Sequence, residues 1–112
     1  NIDQYIQFFK ALSEPVRLRI LNLLLSTHEL CVCDLTATLD LPQSVVSRHL
    51  SYLKKHGIIS SRREGNWQHY QIAILDPEHP FRKILENLNH TLELDPVIAE
   101  DLSKLSQMQT PC

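Results

Sequence analysis

The sequence predicts an α+β domain that is mainly α: a winged helix-turn-helix with additional N- and C-terminal helices. Apolar residues recur at spacings of three and four through most of the chain, which is typical of amphipathic helices. Strand-like alternation is confined to residues 58–74, directly after a helix that Gly57 is expected to end. A hairpin that follows the second helix of a helix-turn-helix is the winged arrangement. At 112 residues, the length predicts one domain over 1–112.

The first two helices are predicted at residues 2–12 and from Pro15 to about Ser26. Ser13 is the expected N-cap of the second helix, because a serine side chain accepts hydrogen bonds from the first turn and proline suits the first helical position. The first helix is expected to present an apolar side formed by Ile2, Tyr5, Ile6, Phe9 and Leu12. The second is the expected central helix, with a core stripe formed by Val16, Ile20, Leu21, Leu24 and Leu25.

A short helix is predicted at residues 33–40 and, after a turn at 39–42, a longer helix from Gln43 to about His56. The longer helix has apolar residues at spacings of four and three, which predict one buried face. These residues are Val46, Leu50 and Leu53.

A β-hairpin is predicted next, with Gly65 and Asn66 in its turn because both residue types tolerate positive φ. Two further helices are predicted at about 80–92 and 96–107, divided by an LDP segment.

Positive charge is concentrated in the middle of the chain, although the formal net charge is −2. Residues 42–70 carry five Lys or Arg side chains and one acidic side chain, whereas the segments 1–41 and 71–112 are net negative. Phosphate contacts supply most of the sequence-independent affinity of DNA-binding proteins. The asymmetry therefore predicts that the middle segment binds double-stranded DNA.

The longer helix begins with short hydrogen-bonding side chains, as a recognition helix requires. Its N-terminal end would enter the major groove, where glutamine can pair with adenine and arginine with guanine. The wing arginines are expected to position the protein on an adjacent backbone or minor groove. The predicted DNA-contacting residues are Gln43, Ser44, Ser47, Arg48, Arg62 and Arg63. A solvated helix face and an exposed strand edge are the alternative interpretations.

The segment ELCVCDL, residues 29–35, has Cys31 and Cys33 one residue apart at the start of the third helix. Three cysteines are too few for a disulfide framework, which favours reduced cysteines. Soft thiolates select ions such as arsenite, antimonite, Cd, Pb, Cu(I) or Zn. Because nothing near the pair completes the four ligands of a structural zinc site, a trivalent metalloid fits better. Packing of two small apolar side chains is the alternative interpretation.

The cysteine spacing also predicts a mechanism. Residues i and i+2 of a regular helix lie about 200° apart, so two sulfurs at this spacing are expected to bind one ion only if the first turn is distorted. The helix that carries Cys33 is expected to pack on the recognition helix. Ligation and DNA binding are therefore expected to compete.

Three segments together resemble the ArsR/SmtB family of bacterial metal-responsive repressors, and most closely its arsenic-responsive members. They read ALSEPVRLRILNLL, ELCVCDL and LPQSVVSRHLSYLKKHGIISSRREGNWQHYQI, and the resemblance covers residues 8–74. It implies a homodimer built on the first and last helices that binds an inverted-repeat operator. It also implies that the dimer leaves this DNA when As(III) or Sb(III) is ligated by Cys31 and Cys33.

The third metalloid ligand stays open. Arsenic-responsive relatives often have a third cysteine one turn after the second, and here that position is Thr36. The candidates are Cys112, a small-molecule thiol such as glutathione, or water. Cadmium- and lead-sensing relatives share the cysteine pair but add N-terminal cysteines, and residues 1–30 contain none, which favours arsenic.

Other readings are weaker. His79, His90 and Glu93 match part of the interhelical zinc pattern of some relatives, but Pro77 occupies the aspartate position, so helix capping is the simpler role for His79. A redox-responsive repressor, whose cysteine pair forms a disulfide or persulfide, is a second hypothesis. A thiol enzyme is a third, although the sequence has no C-x-x-C motif and no Gly-rich nucleotide loop.

We therefore expect no enzymatic activity and no organic cofactor. The sequence contains no run of eighteen apolar residues and no signal-peptide pattern, which predicts a cytoplasmic protein that does not bind membranes.

Overall fold

A computed structural model describes residues 1–108 of the chain, and within them it has six helices and three strands. The elements are α1 Ile2–Leu12, α2 Pro15–Ser26, β1 Leu30–Cys31, α3 Val32–Leu39, α4 Gln43–Lys55, β2 Ile59–Glu64, β3 Trp67–Ile72, α5 Pro80–Leu92 and α6 Pro96–Ser106. This order confirms the predicted winged helix-turn-helix with additional helices at both ends. Among the described residues, no helix is long and apolar enough to cross a membrane.

Helix α2 is the centre of the core, as predicted. It contacts α1, α4, α5, α6 and β3, so more than one side of it is buried. Leu23 is buried in addition to the predicted Ile20, Leu21 and Leu24, and each such side chain contributes about 1.5–3 kcal/mol through burial. The N-cap is Glu14 and not Ser13, because the Glu14 carboxylate accepts a hydrogen bond from the Arg17 backbone N–H at 2.8 Å.

Helices α3 and α4 form the helix-turn-helix and pack against each other. The chain turns between them at Asp40, whose φ of 55° closes α3 in the left-handed conformation. The predicted buried face of α4 is confirmed, since Val46, Leu50 and Leu53 are all fully buried. Gly57 follows α4 with a φ of 75°, which explains why the helix ends there.

The three strands form one antiparallel sheet in the order β1-β3-β2. The hairpin of β2 and β3 was predicted, with Gly65 at a φ of 62° in its two-residue turn. Asn66 was wrongly expected to share that conformation. A turn that has glycine first and needs only one positive φ accounts for the difference. The third strand, β1, was not predicted.

Helix α1 packs on the core through residues that the sequence analysis did not single out. Phe8 and Ala11 are its buried residues, and the Phe8 ring stacks on that of Phe81 with centroids 4.3 Å apart. Most residues of its predicted apolar side are exposed to solvent. These are Ile2, Tyr5, Ile6 and Phe9.

Helix α6 is tied to the central helix by one ion pair. Arg19 Nε and Nη2 donate to the two carboxylate oxygens of the buried Asp101, at 2.9 and 2.8 Å. The hydrogen bonds to Asp101 raise the pKa of Arg19. A bidentate, largely desolvated pair of this kind fixes the orientation of α6 on α2.

Candidate nucleic-acid interface and thiol site

The first turns of α4 expose the polar side chains that a recognition helix would need. Gln43, Ser44 and Arg48 are exposed, whereas Ser47 is half-buried. The helix begins after Pro42, whose extended backbone brings the chain in from the turn without a side-chain cap. The described structure therefore has all four predicted residues of α4 within two turns of its N-terminus, three of them facing solvent.

Arg17 of α2 holds α4 in place. Its guanidinium lies 4.1 Å from the centre of the Tyr52 ring, and its Nε donates to the Ala11 carbonyl oxygen at 2.8 Å. His49 Nδ1 lies 3.4 Å from Arg17 Nη1 and 3.6 Å from Glu14 Oε2. Burial of the ring lowers the pKa of His49, although Glu14 opposes this shift. These contacts orient the recognition helix from its buried side.

The two wing arginines lie on opposite faces of the hairpin, because they are consecutive on β2. Arg62 is held by carboxylates: its Nε and Nη2 donate to Glu29 at 2.8 and 2.7 Å, and its Nη1 donates to Glu64 at 3.2 Å. The hydrogen bonds from Arg62 lower the pKa of Glu29, and those to Glu29 and Glu64 raise the pKa of Arg62. Arg63 Nε donates to the Gly65 carbonyl oxygen at 3.3 Å.

The cysteine pair is arranged differently from the prediction. Cys31 lies in β1 and is the N-cap of α3, with an extended backbone of φ −83° and ψ 163°, and only Cys33 lies inside the helix. Their Sγ atoms are 3.1 Å apart. Two sulfurs bound to one ion at about 2.3 Å each can be at most about 4.6 Å apart, so both can reach the same ion. The reason for expecting a distorted first helical turn therefore does not hold, because Cys31 is extended and lies outside α3.

A cavity of about 350 Å³ adjoins Cys31. Its walls include polar side chains from three elements and their connections, together with Leu105 and Met108 near the end of α6. The full lining is Glu29, Leu30, Cys31, Asp34, His69, Leu105 and Met108. The cavity therefore lies between Cys31, the sheet and the end of α6, and its volume is sufficient for a small inorganic species.

The described residues do not gather three metal ligands. Within 1–108, no group of three or more His, Cys, Asp or Glu side chains is arranged to hold a metal ion. Thr36, where relatives often have cysteine, donates its hydroxyl to the Cys33 carbonyl oxygen at 3.0 Å. Cys112 lies outside the described residues.

His79 has the capping role that was expected. It is the N-cap of α5, and its Nδ1 accepts a hydrogen bond from the Phe81 backbone N–H at 3.1 Å. Because Nδ1 accepts this hydrogen bond, only Nε2 of the ring is left for a metal ion.

Two residues beside the cysteine pair were missed by the sequence analysis. Glu29 binds Arg62, and His69 has its Nδ1 3.7 Å from Glu29 and its Nε2 3.7 Å from Glu64. Glu29 was part of the quoted cysteine segment but had no partner in the sequence. The alternation of β3 could have indicated that His69 shares a face with its neighbours two positions away.

Part of the chain matches the model of a known protein family. Residues 14–61 match the model described as "Bacterial regulatory protein, arsR family". The chain is also 46% identical over 68 residues to the arsenical resistance operon repressor of Escherichia coli K12, which is 61% of this chain and 58% of that protein. It therefore spans less than two thirds of the length of that relative.

Solved structures agree in fold. HlyU from Vibrio cholerae N16961 has a TM-score of 0.73 and 30% identity, over 81% of this chain and 94% of that one. The AntR antimony-specific transcriptional repressor has a TM-score of 0.68 and 33% identity, over 82% of this chain and 79% of that one. Because these structures match about four fifths of the chain, the similarity extends beyond residues 14–61 of the family match.

Proposed function

Since the chain belongs to the arsR family of bacterial regulatory proteins, we propose that it is a transcriptional repressor that senses arsenite or antimonite. It binds an inverted-repeat operator as a homodimer, and the operator is released when Cys31 and Cys33 bind the metalloid. One observation carries the proposal: two sulfurs lie 3.1 Å apart at the start of the helix that packs on α4.

The exposed start of α4 supports the DNA-binding part. Gln43, Ser44 and Arg48 face solvent, and their chemistry suits base edges and phosphates of the major groove. Ser47 is the fourth proposed contact in this helix. Arg62 and Arg63, on opposite faces of the wing, would bind backbone or the minor groove on either side of it.

The choice of a metalloid rests on ligand count and chemistry. Two soft sulfur donors are adjacent, and the described residues add no third side chain to them. A tetrahedral ion that needs four protein ligands is thereby disfavoured. Cys112, glutathione or water remain the candidates for a third ligand. The E. coli relative is an arsenical resistance repressor and the structural neighbour AntR is antimony-specific, which favours As(III) or Sb(III) as the inducer.

Binding of the metalloid is expected to affect the recognition helix α4 through the packing of α3 on α4. Cys31 occupies the N-cap position of α3 and Cys33 lies in its first turn, while Leu35 and Leu39 of the same helix are buried in the core that α4 shares. Because the interior is close-packed, a small displacement of the start of α3 also displaces α4. Because Cys31 lies outside α3, the position of the two sulfurs gives no reason to expect uncoiling of α3.

A second candidate follows from the same contact. Two cysteine sulfurs that touch could respond to oxidants as well as to a metalloid, which would make the protein a redox-responsive repressor. In that case peroxide, and not arsenite, would lower operator affinity.

The test is a titration of the wild-type complex with a fluorescent operator duplex that the protein itself selects from random DNA. Arsenite or antimonite is expected to release the operator under reducing conditions, whereas peroxide is not. Unchanged affinity after arsenite and antimonite would contradict the proposal, and release by peroxide alone would favour the redox alternative.

X-ray absorption of the arsenite-bound protein would identify the third ligand. The spectrum counts sulfur neighbours of arsenic in the wild type and in Cys112→Ser. A loss of one sulfur in the variant would assign Cys112, and an unchanged count would exclude it.

A further inference from the structure

One row of residues crosses all three strands of the sheet. Cys31 of β1 pairs with His69 of β3, and His69 pairs with Arg62 of β2, so the three side chains share one face. Glu29 reaches this face as well, because its carboxylate binds Arg62 and lies 3.7 Å from His69. The row therefore joins the thiol site to the wing.

Two carboxylates share the guanidinium of Arg62. Each of its three nitrogens donates to a carboxylate: Nε and Nη2 donate to Glu29, and Nη1 donates to Glu64. The three side chains together carry one positive and two negative formal charges, which repel a phosphate group. Arg62 can bind the operator strongly only after it releases at least one carboxylate.

Of these two carboxylates, Glu29 is the one whose position depends on the cysteine pair. Only Leu30 separates it from Cys31, and Leu30 is buried and paired with Tyr70 in the sheet. The positions open to the Glu29 side chain therefore depend on where Cys31 is held. Glu64 has no such link through the chain, since it ends β2 at the tip of the wing and reaches the row only through His69 Nε2, 3.7 Å away.

We propose that Glu29 is a positioning residue that couples the cysteine pair to the wing. It competes with operator phosphate for Arg62, and Cys31 favours the Glu29–Arg62 pair when it holds a metalloid together with Cys33. This inference rests on the proposed function. It assigns to Glu29 the transfer of the inducer signal to Arg62, in addition to the transfer through α3 and α4.

The test compares Glu29→Gln with the matched variant Glu64→Gln. The operator dissociation constant is measured with and without arsenite for both variants and the wild type. Each substitution removes one negative charge beside Arg62, so each is expected to tighten metalloid-free binding by about two- to fivefold. Glu29→Gln alone is expected to lower the ratio of the two dissociation constants, by a similar factor. Glu64→Gln is expected to keep the wild-type ratio.

X-ray absorption on arsenite-bound Glu29→Gln is the second readout, and a wild-type sulfur count is expected. An unchanged ratio in Glu29→Gln, an equal decrease in both variants, or loss of arsenite binding by Glu29→Gln would overturn the inference and leave the proposed function in place. If arsenite left the operator affinity of the wild type unchanged, both this inference and the proposed function would be overturned.

Discussion

Arg48 and Arg62 carry the same charge in different surroundings. Arg48 is exposed on the second turn of α4, whereas Arg62 already binds two carboxylates on the wing. Arg48 belongs to none of the ion pairs within the described residues. A phosphate or guanine can therefore bind Arg48 without first displacing a carboxylate. At the scale of single residues, Arg48 is therefore the arginine whose removal should weaken DNA binding most directly.

Arg48→Ala is expected to weaken operator binding by about 1–3 kcal/mol, because a direct arginine contact to a base or phosphate is lost. Fluorescence anisotropy with a labelled operator measures the change. Lys83→Ala, which removes an exposed cation from α5, is the control and should bind like the wild type. Wild-type affinity in Arg48→Ala would remove this residue from the interface.

Local signals in the sequence were sufficient where one residue determines its own conformation. Gly57 and Gly65 were predicted at a helix end and a hairpin turn, and both have positive φ. Contacts between distant residues gave no such signal. Glu29 and Arg62 are 33 positions apart, and the sulfurs of Cys31 and Cys33 meet only because Cys31 is extended. The DNA-contacting and metalloid-ligating residues remain predictions.

At the scale of elements, tertiary pairing explains what the sequence did not reveal. Strand β1 has two residues, too few for a periodic pattern, and exists because it pairs with β3. The helices and the hairpin were predictable because their apolar residues recur with the period of a helix or a strand, whether that side is buried, as in α4, or exposed, as in α1. The contact of α4 with α2 through His49 also arises from packing, since the ring is buried between an arginine and a carboxylate.

The buried His49 predicts how stability depends on pH. Burial lowers its pKa below the ordinary value of 6.5, so the unfolded chain binds a proton at His49 more readily than the folded protein does. The free energy of unfolding should therefore fall as the pH drops below about 6.5, until the pH passes the lowered pKa of the folded state. Denaturant unfolding between about pH 7.5 and pH 5 measures this slope.

His49→Gln should reduce that slope, because the titrating group is removed. His90→Gln changes an exposed histidine on α5 and serves as the control. An identical pH dependence in His49→Gln and the wild type would show that other groups cause the loss of stability.

At the scale of the whole molecule, apolar side chains remain on the surface of the terminal helices. Ile2, Ile6 and Phe9 of α1 are 76%, 47% and 46% exposed, and Val97 of α6 is 51% exposed. Large exposed apolar surfaces commonly mark sites where proteins associate. They lie on the first and last helices, which are the elements that the family resemblance assigns to the dimer.

Ile6→Glu is expected to shift the protein towards monomers, since a carboxylate would be buried in the proposed dimer interface. Operator affinity should fall with it, because an inverted repeat is bound by two subunits. Gln7→Glu adds the same charge at a neighbouring polar position of α1 and should stay dimeric. Sedimentation velocity measures both states, and a stable dimer of Ile6→Glu would move the interface elsewhere.

The most direct test of metalloid sensing is operator binding by Cys31→Ser and Cys33→Ser, with and without arsenite. Both variants are predicted to bind the operator within about threefold of the wild type when arsenite is absent, since serine is close in size to cysteine. Arsenite is predicted to release the operator from the wild type only. Release of both variants by arsenite, or loss of their operator binding without it, would contradict the assignment of these cysteines as the sensor.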